Sequence, residues 1–97
     1  QNNISNSSMG LEVLESSGNS IFHNNFLDNG EHSQESQGTN SWDQGNVTGG
    51  NYWDDHVAKG NPSQSWPRMI KGGDSLDRYP FQDRSGWLLP SAALYPE

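Results

Sequence analysis

The sequence predicts an all-β fold, the last coils of a parallel β-helix closed by an irregular aromatic cap. Three observations carry this expectation. Short apolar pulses separated by Asn, Ser and Gly recur at 21 to 22 residues, the second pass loses its apolar side chains, and a block of Trp and Tyr follows where the repeat fails. A period in the low twenties made of short strands and polar corners is the sequence mark of a solenoid.

The pulses are Ile4, then Leu11-Val13-Leu14, then Ile21-Phe22, then Phe26-Leu27. Each is too short for a helix and is bounded by turn formers, so each reads as a short strand. Asn3-Ile4-Ser5-Asn6 aligns with Asn25-Phe26-Leu27-Asp28 at an offset of 22 residues, and Asn19-x-Ile21 aligns with Asn40-x-Trp42 at 21. Leucine-rich repeats share this period but need several Leu per repeat, and only Leu11 and Leu14 fit. In a parallel β-helix each strand lies above its counterpart in the previous coil, so inward side chains stack and corner Asn residues form amide ladders. Ile4 is then expected under Phe26, Ile21 under Trp42, and Asn3 and Asn25 at equivalent corners. A two- or three-stranded meander is the competing arrangement.

The second coil decays. The same offset sets Ser33-Gln34-Glu35 against Leu11-Glu12-Val13, a segment read as having nothing to bury. A solenoid end has to be polar or capped, because an open coil offers unpaired backbone groups to other chains. Residues 1–42 are therefore read as the last coils, 43–87 as the cap region and 88–97 as a tail docked on it. Trp42, Gly49, Gly50, Tyr52 and Trp53 are the expected cap residues. The glycines turn the chain out of the last coil, and the aromatics carry enough apolar area to cover a narrow core. Val57 to Ser65 reads as a loop, Ser65 to Ile70 as an edge strand limited by Pro67, and Lys71 to Asp74 as a turn. No segment has a helical period.

Composition narrows the function classes. The chain has 97 residues, 29% of them hydrophobic, with a net charge of -7 and no cysteine. A conventional helix-sheet core is hard to build from so few apolar residues, yet four Trp, three Tyr and three Phe argue against disorder. Without cysteine there is no disulfide and no thiolate metal site. The acidic balance excludes a basic nucleic-acid footprint, and no apolar run is long enough to cross a bilayer. The opening Gln1-Asn2-Asn3-Ile4 reads as mid-repeat, so the chain is expected to be the C-terminal part of something longer.

Several side chains invite a chemical role. Asp54, Asp55 and His56 adjoin, but on an extended strand consecutive side chains point to opposite faces, so the two aspartates are not expected to work as a pair. A β-helix hydrolase would present carboxylates from successive coils along one groove, and Glu12, Glu15, Glu31 and Glu35 show no such register. His23, His32 and His56 with Met9 and Met69 are copper-ligating types, but they lack a tight His-x-His or Met-x-Met spacing and read as solvated surface histidines. Trp66 and Trp87 are the candidate carbohydrate-stacking faces. Asn3, Asn6 and Asn46 begin glycosylation sequons. No catalytic residue, resident metal or cofactor is assigned.

Asn19-Ser20-Ile21-Phe22-His23-Asn24-Asn25-Phe26 resembles the Asn-x-Ile-x-x-Asn-x-aromatic coil of right-handed parallel β-helix (PbH1-repeat) proteins. These are the carbohydrate-binding and sugar-hydrolase (CASH) group, which includes NosD-like periplasmic copper-accessory proteins. Gly49-Gly50-Asn51-Tyr52-Trp53-Asp54-Asp55 resembles the closing segment of such chains, especially archaeal cell-surface proteins. Asp77-Arg78-Tyr79-Pro80-Phe81 resembles their terminal Asp-x-Tyr-Pro element, with Trp87 as the trailing Trp, and this adds Tyr79 and Pro80 to the cap. Members often carry an Asp-rich loop suited to calcium between the two elements, but Val57 to Ile70 contains no acidic residue.

The resemblance implies a right-handed helix and an extracellular, cell-surface or periplasmic place. It implies a non-catalytic structural or carbohydrate-interacting module, partnered by upstream coils of the same chain or by a second copy. The alternatives are part of a polysaccharide hydrolase or lyase whose groove lies on upstream coils, and a copper-accessory protein.

Overall fold

The computed structural model describes residues 2–15, 17–36, 38–72 and 75–88. Two strands in the first pass, β1 (Asn2–Ser5) and β2 (Met9–Leu14), are followed by two in the second, β3 (Asn24–Leu27) and β4 (Glu31–Ser36). A one-turn helix α1 (Gly45–Thr48) precedes β5 (Tyr52–Trp53), and β6 (Arg68–Met69) and β7 (Leu76–Asp77) form a short hairpin. A 3₁₀ turn spans Gly86–Leu88. Among the described residues these two single turns are the helical content, and a search for a helical period misses them since neither is long enough to show one.

The main pairings are parallel, which rules out the meander. β1 lies beside β3 with Asn3 opposite Asn25 and Ile4 opposite Phe26, and β2 lies beside β4 with Leu11 opposite Ser33 and Val13 opposite Glu35. The 22-residue offset is thus the observed register. A third side is marked by the parallel bridge of Ser20 with Ser41, which sets Ile21 one residue on from it and Trp42 likewise. Asn6 and Asp28, one repeat apart, both leave their strands with positive φ, 57° and 51°. Asn and Asp tolerate that conformation better than other residues with a Cβ, so the polar corners are what allow each pass to bend.

Tyr52 and Trp53, read as cap residues, continue the first sheet as a third strand, with Phe26 opposite Trp53. Their rings stack at 4.2 Å between centroids and 7° between planes. Lys71 extends the second side by a parallel bridge to Gln34. The core is Ile21, Phe26, Trp42, Trp53 and Ile70, flanked by half-buried Ile4, Leu11 and Val13.

Four expectations are corrected. Ser33 and Glu35 are buried, because the pass above, including the Lys71 bridge, covers them. The edge strand is limited to Arg68–Met69, and Trp66 and Pro67 lie outside it. Asp54 and Asp55 sit on a turn rather than a strand, since β5 ends at Trp53. His32 is buried rather than solvated. Of the tail 88–97, only Leu88 falls among the described residues, and it is exposed.

Candidate functional site

Two rows of asparagines run through the stack, and each ends on a buried carboxylate. In the first, Asn2 Nδ2 donates to Asn24 Oδ1 at 3.4 Å, Asn24 Nδ2 to Asn51 Oδ1 at 3.2 Å, and Asn51 Nδ2 to Asp77 Oδ2 at 3.4 Å. In the second, Asn19 Nδ2 donates to Asn40 Oδ1 at 2.9 Å and Asn40 Nδ2 to Glu35 Oε1 at 3.2 Å. An amide has one acceptor and one donor end, so these chains have a direction, and it is pinned at Asn51. Asn51 Nδ2 also faces the carbonyls of Ile21 and Trp42 at 3.0 Å each, while its Oδ1 takes the Asn24 N–H. Turning that amide over would set donors against donors.

Each terminal carboxylate also anchors a core indole. Trp42 Nε1 donates to Glu35 Oε1 at 3.0 Å, and Trp53 Nε1 to Asp77 Oδ2 at 2.8 Å. Burial pushes the Asp77 carboxyl up to about 7, against the pull of N–H donors on Trp53, Asn51 and Tyr79. At Glu35 burial acts in the same sense, but hydrogen bonds from Ser75, Trp42 and Asn40 outweigh it and hold the carboxyl below its ordinary value.

Asp77 also joins the two motifs singled out in the sequence. Its Oδ2 accepts the backbone N–H of Asn51 at 2.8 Å, Gly50 N–H donates to the Tyr79 carbonyl at 2.8 Å, and Phe81 N–H to the Asn51 carbonyl at 2.9 Å. Beside them Arg78 grips Asp43 through Nη2–Oδ1 at 2.8 Å and Nε–Oδ2 at 3.1 Å. Burial raises the Asp43 carboxyl, but the Arg78 bonds and charge and the Gly45 N–H hold it below its usual range. A Cβ on Gly50 would collide with the Asp77 carboxylate, and one on Gly49, whose φ is 83°, would meet the Phe81 ring and Pro62 at 2.7 Å. Gly49, Gly50, Trp53 and Tyr79 therefore meet along one seam, with the Trp42 carbonyl reached by the Asn51 amide; Tyr52 lies in β5 opposite Asn25, and the Pro80 carbonyl accepts from Ser63. Sequence reasoning missed Asp77, Asn51 and Glu35. The signal available was that Asn51 stands between the glycines and the aromatics of one motif and Asp77 opens the other.

Among the described residues, one group of three or more His, Asp or Glu side chains has ligand atoms within 4.8 Å of each other: His32, Asp54 and Asp55. His23, His56, Met9 and Met69 do not join it. His32 Nε2 lies 2.7 Å from Asp54 Oδ1 and 3.8 Å from Asp55 Oδ1, and its Nδ1 lies 3.0 Å from Asn29 Nδ2. Asn29 Oδ1 accepts the Ser7 N–H and Nδ2 donates to the Ile4 carbonyl, which fixes Nδ2 as the atom facing the imidazole. The lone pair of His32 is therefore on Nδ1 and already used, while Nε2–H donates to Asp54. Asp55 is held bidentately by Arg68, which lies 4.1 Å over the Trp53 ring. Burial raises the Asp54 carboxyl, but the Asp28 N–H, His32 and Arg68 more than offset it. A copper ion needs free imidazole lone pairs, so this donor set does not fit one. It is a clasp between the first pass, the second pass and the turn after β5.

The remaining candidates are dispersed. His23 Nε2 contacts the Thr48 carbonyl at 2.7 Å and its ring stacks on Trp87 at 4.9 Å, with Phe81 edge-on to both. His56 Nε2 contacts the Trp66 carbonyl at 2.9 Å. Trp66 is exposed, with Lys59 Nζ 5.7 Å from its ring centre. Of the sequon residues, Asn3 Oδ1 takes an amide hydrogen from Asn25, and Asn6 and Asn46 are exposed.

Neither a curated protein nor a solved structure matches the chain. One family model does: NosD, described as periplasmic copper-binding protein, over residues 1–58. That span is more than half of the chain and runs from the first strand through the clasp, and by it the chain belongs to the NosD family.

Proposed function

We propose that this chain is the closing coils and cap of a right-handed parallel β-helix, a non-catalytic module that terminates an envelope protein in the periplasm or outside the cell. The observation that carries this is the seam at Asp77, which ties the Gly49–Trp53 segment and the Asp77–Phe81 segment across the end of the parallel stack. A solenoid needs such an end to hide its last backbone edge. Residues 1–42 act as coils and 43–87 as the region that closes them. Trp66, with its exposed indole, is the face we assign to saccharide; one face of Trp87 is taken by the His23 ring.

Removing residues 59–97 tests the reading. The shortened chain is expected to lose cooperative unfolding and to associate with rising concentration. A monodisperse, cooperatively folding product would overturn the capping role. Retention of the full chain on polysaccharide, weakened by Trp66→Ala, tests the carbohydrate contact.

Family membership favours a second reading, in which the protein serves copper delivery. It requires ligands other than the His32 cluster, whose lone pair is already engaged.

A further inference from the structure

The direction of the asparagine rows, followed the other way, reaches the face formed by the first pass. β1 and β2 are the edge strands of their sheets on that side. Between them lies an open cavity of about 520 Å³ lined by Asn2, Ile4, Leu11, Ile21 and His23, among others. At this face the rows end on specific atoms. Asn2 and Asn19 spend Nδ2 on the pass below, which leaves Oδ1 of each without a partner among the described residues. The neighbouring Asn3 has the opposite sense, since its Oδ1 accepts from Asn25 Nδ2 at 2.8 Å and its Nδ2 is left to face outward. The face therefore presents two acceptors and one donor at fixed corners.

We infer that this face is built to receive a further parallel coil of the same kind, with an amide donor one turn ahead of Asn2 and of Asn19 and an acceptor one turn ahead of Asn3. The inference rests on the β-helix reading above and adds to it the chemistry of the partner. Continuity with the existing interface supports it, because the contact repeats the Asn2–Asn24 and Asn19–Asn40 bonds already present. A second copy turned face to face does not meet the requirement. Reversing a coil reverses the order in which its sides are traversed, so at most one side stays in register.

The test extends the full chain with a copy of residues 2–23 placed ahead of Asn2 and follows urea unfolding by tryptophan fluorescence. The added coil is expected to raise both the midpoint and the m value, as more surface is buried. Within the added coil, Asn2→Asp sets a carboxylate against the Asn2 acceptor, whereas Asn3→Asp keeps an acceptor facing the Asn3 donor. The two substitutions change charge equally at adjacent positions. Asn2→Asp is expected to remove most of the gain in midpoint, as is Asn19→Asp, and Asn3→Asp to retain it. Equal effects of Asn2→Asp and Asn3→Asp would overturn the directional code while leaving coil stacking in place. An unmodified added coil that gives no rise would overturn both the code and the β-helix reading beneath it.

Discussion

Trp53 donates its indole N–H to Asp77 Oδ2 at 2.8 Å, and this one bond joins the parallel strand β5 to the β6–β7 hairpin. Both side chains are buried, and the same oxygen accepts the Asn51 backbone N–H. The bond thus carries apolar packing and polar satisfaction together, and substitutions separate the two. Trp53→Ala removes the Phe26 stack as well as the bond and is expected to destabilise by about 3–5 kcal/mol, the range for a buried aromatic. Trp53→Phe keeps most of the packing and is expected to lose about 1–3 kcal/mol by withdrawing one donor from a buried carboxylate. Asp55→Asn, at an exposed Arg68 pair, is expected to change stability by less than about 1 kcal/mol. Urea unfolding of the three variants checks the order; a larger effect at Asp55 than at Trp53 would restore a functional meaning to the acidic turn.

Gly50 makes the Asp77 bond possible, because a side chain there would occupy the place of the carboxylate. Gly50→Ala is expected to destabilise by about 1–3 kcal/mol or more through overpacking, although its backbone φ does not lie in the left-handed region. In the Asp77→Gly background the space opens, so the same substitution should then have little effect. That double-mutant cycle isolates the contact. Additive losses would show that Gly50 matters for some other reason.

How much of this was legible in the residues follows from what each side chain announces. Ile4 and Phe26 are apolar, sit beside Asn3 and Asn25 in the same relative place, and so reveal their register directly. Glu35 announces the opposite of its position. A carboxylate reads as outward-facing, and it lies inside because the Lys71 pass covers it and Ser75, Trp42 and Asn40 supply donors to it. The convergence of Asp54 and Asp55 on His32 was hidden for a different reason. Strand alternation separates consecutive side chains, but β5 is two residues long and the turn after it cancels the rule. Local pattern shows where a strand stacks. It does not show which polar groups a later segment comes back to satisfy.

Stability should pass through a maximum in mildly acidic solution. Asp77 has its carboxyl raised from 3.8 to about 7 by burial, so its contribution is full below 3.8 and is lost as pH rises through 7. Asp43, Asp54 and Glu35 are held below 3.8, 3.8 and 4.5, so theirs is present above those values and is lost as pH falls. The alkaline limb is expected to amount to a few kcal/mol, on the order set by a shift of about three pK units. Asp77→Asn, which cannot ionise, should be less stable in acid yet lack the decline that Asp77 causes between about pH 5 and 7. Denaturant midpoints measured across that range decide it, and an unchanged alkaline limb in Asp77→Asn would assign the decline to another group.

The clasp makes an opposite pair of predictions for copper and for packing. A ligand that binds the native state alone raises apparent stability in proportion to the logarithm of one plus the ratio of its free concentration to its Kd. Since His32 spends Nε2–H on Asp54 and its Nδ1 lone pair on Asn29, copper(II) at tens of micromolar is expected to produce no rise in unfolding temperature that depends on His32. His32→Phe should by contrast destabilise without any metal, because it leaves Asp54 Oδ1 without the imidazole N–H and Asn29 Nδ2 without its acceptor, a loss of about 1–3 kcal/mol. Thermal unfolding of the wild type and His32→Phe, each with and without copper, separates the cases. A copper-dependent rise in the wild type that vanishes in His32→Phe would mean that the Asn29 amide can yield the imidazole to a metal, and that the clasp opens on binding.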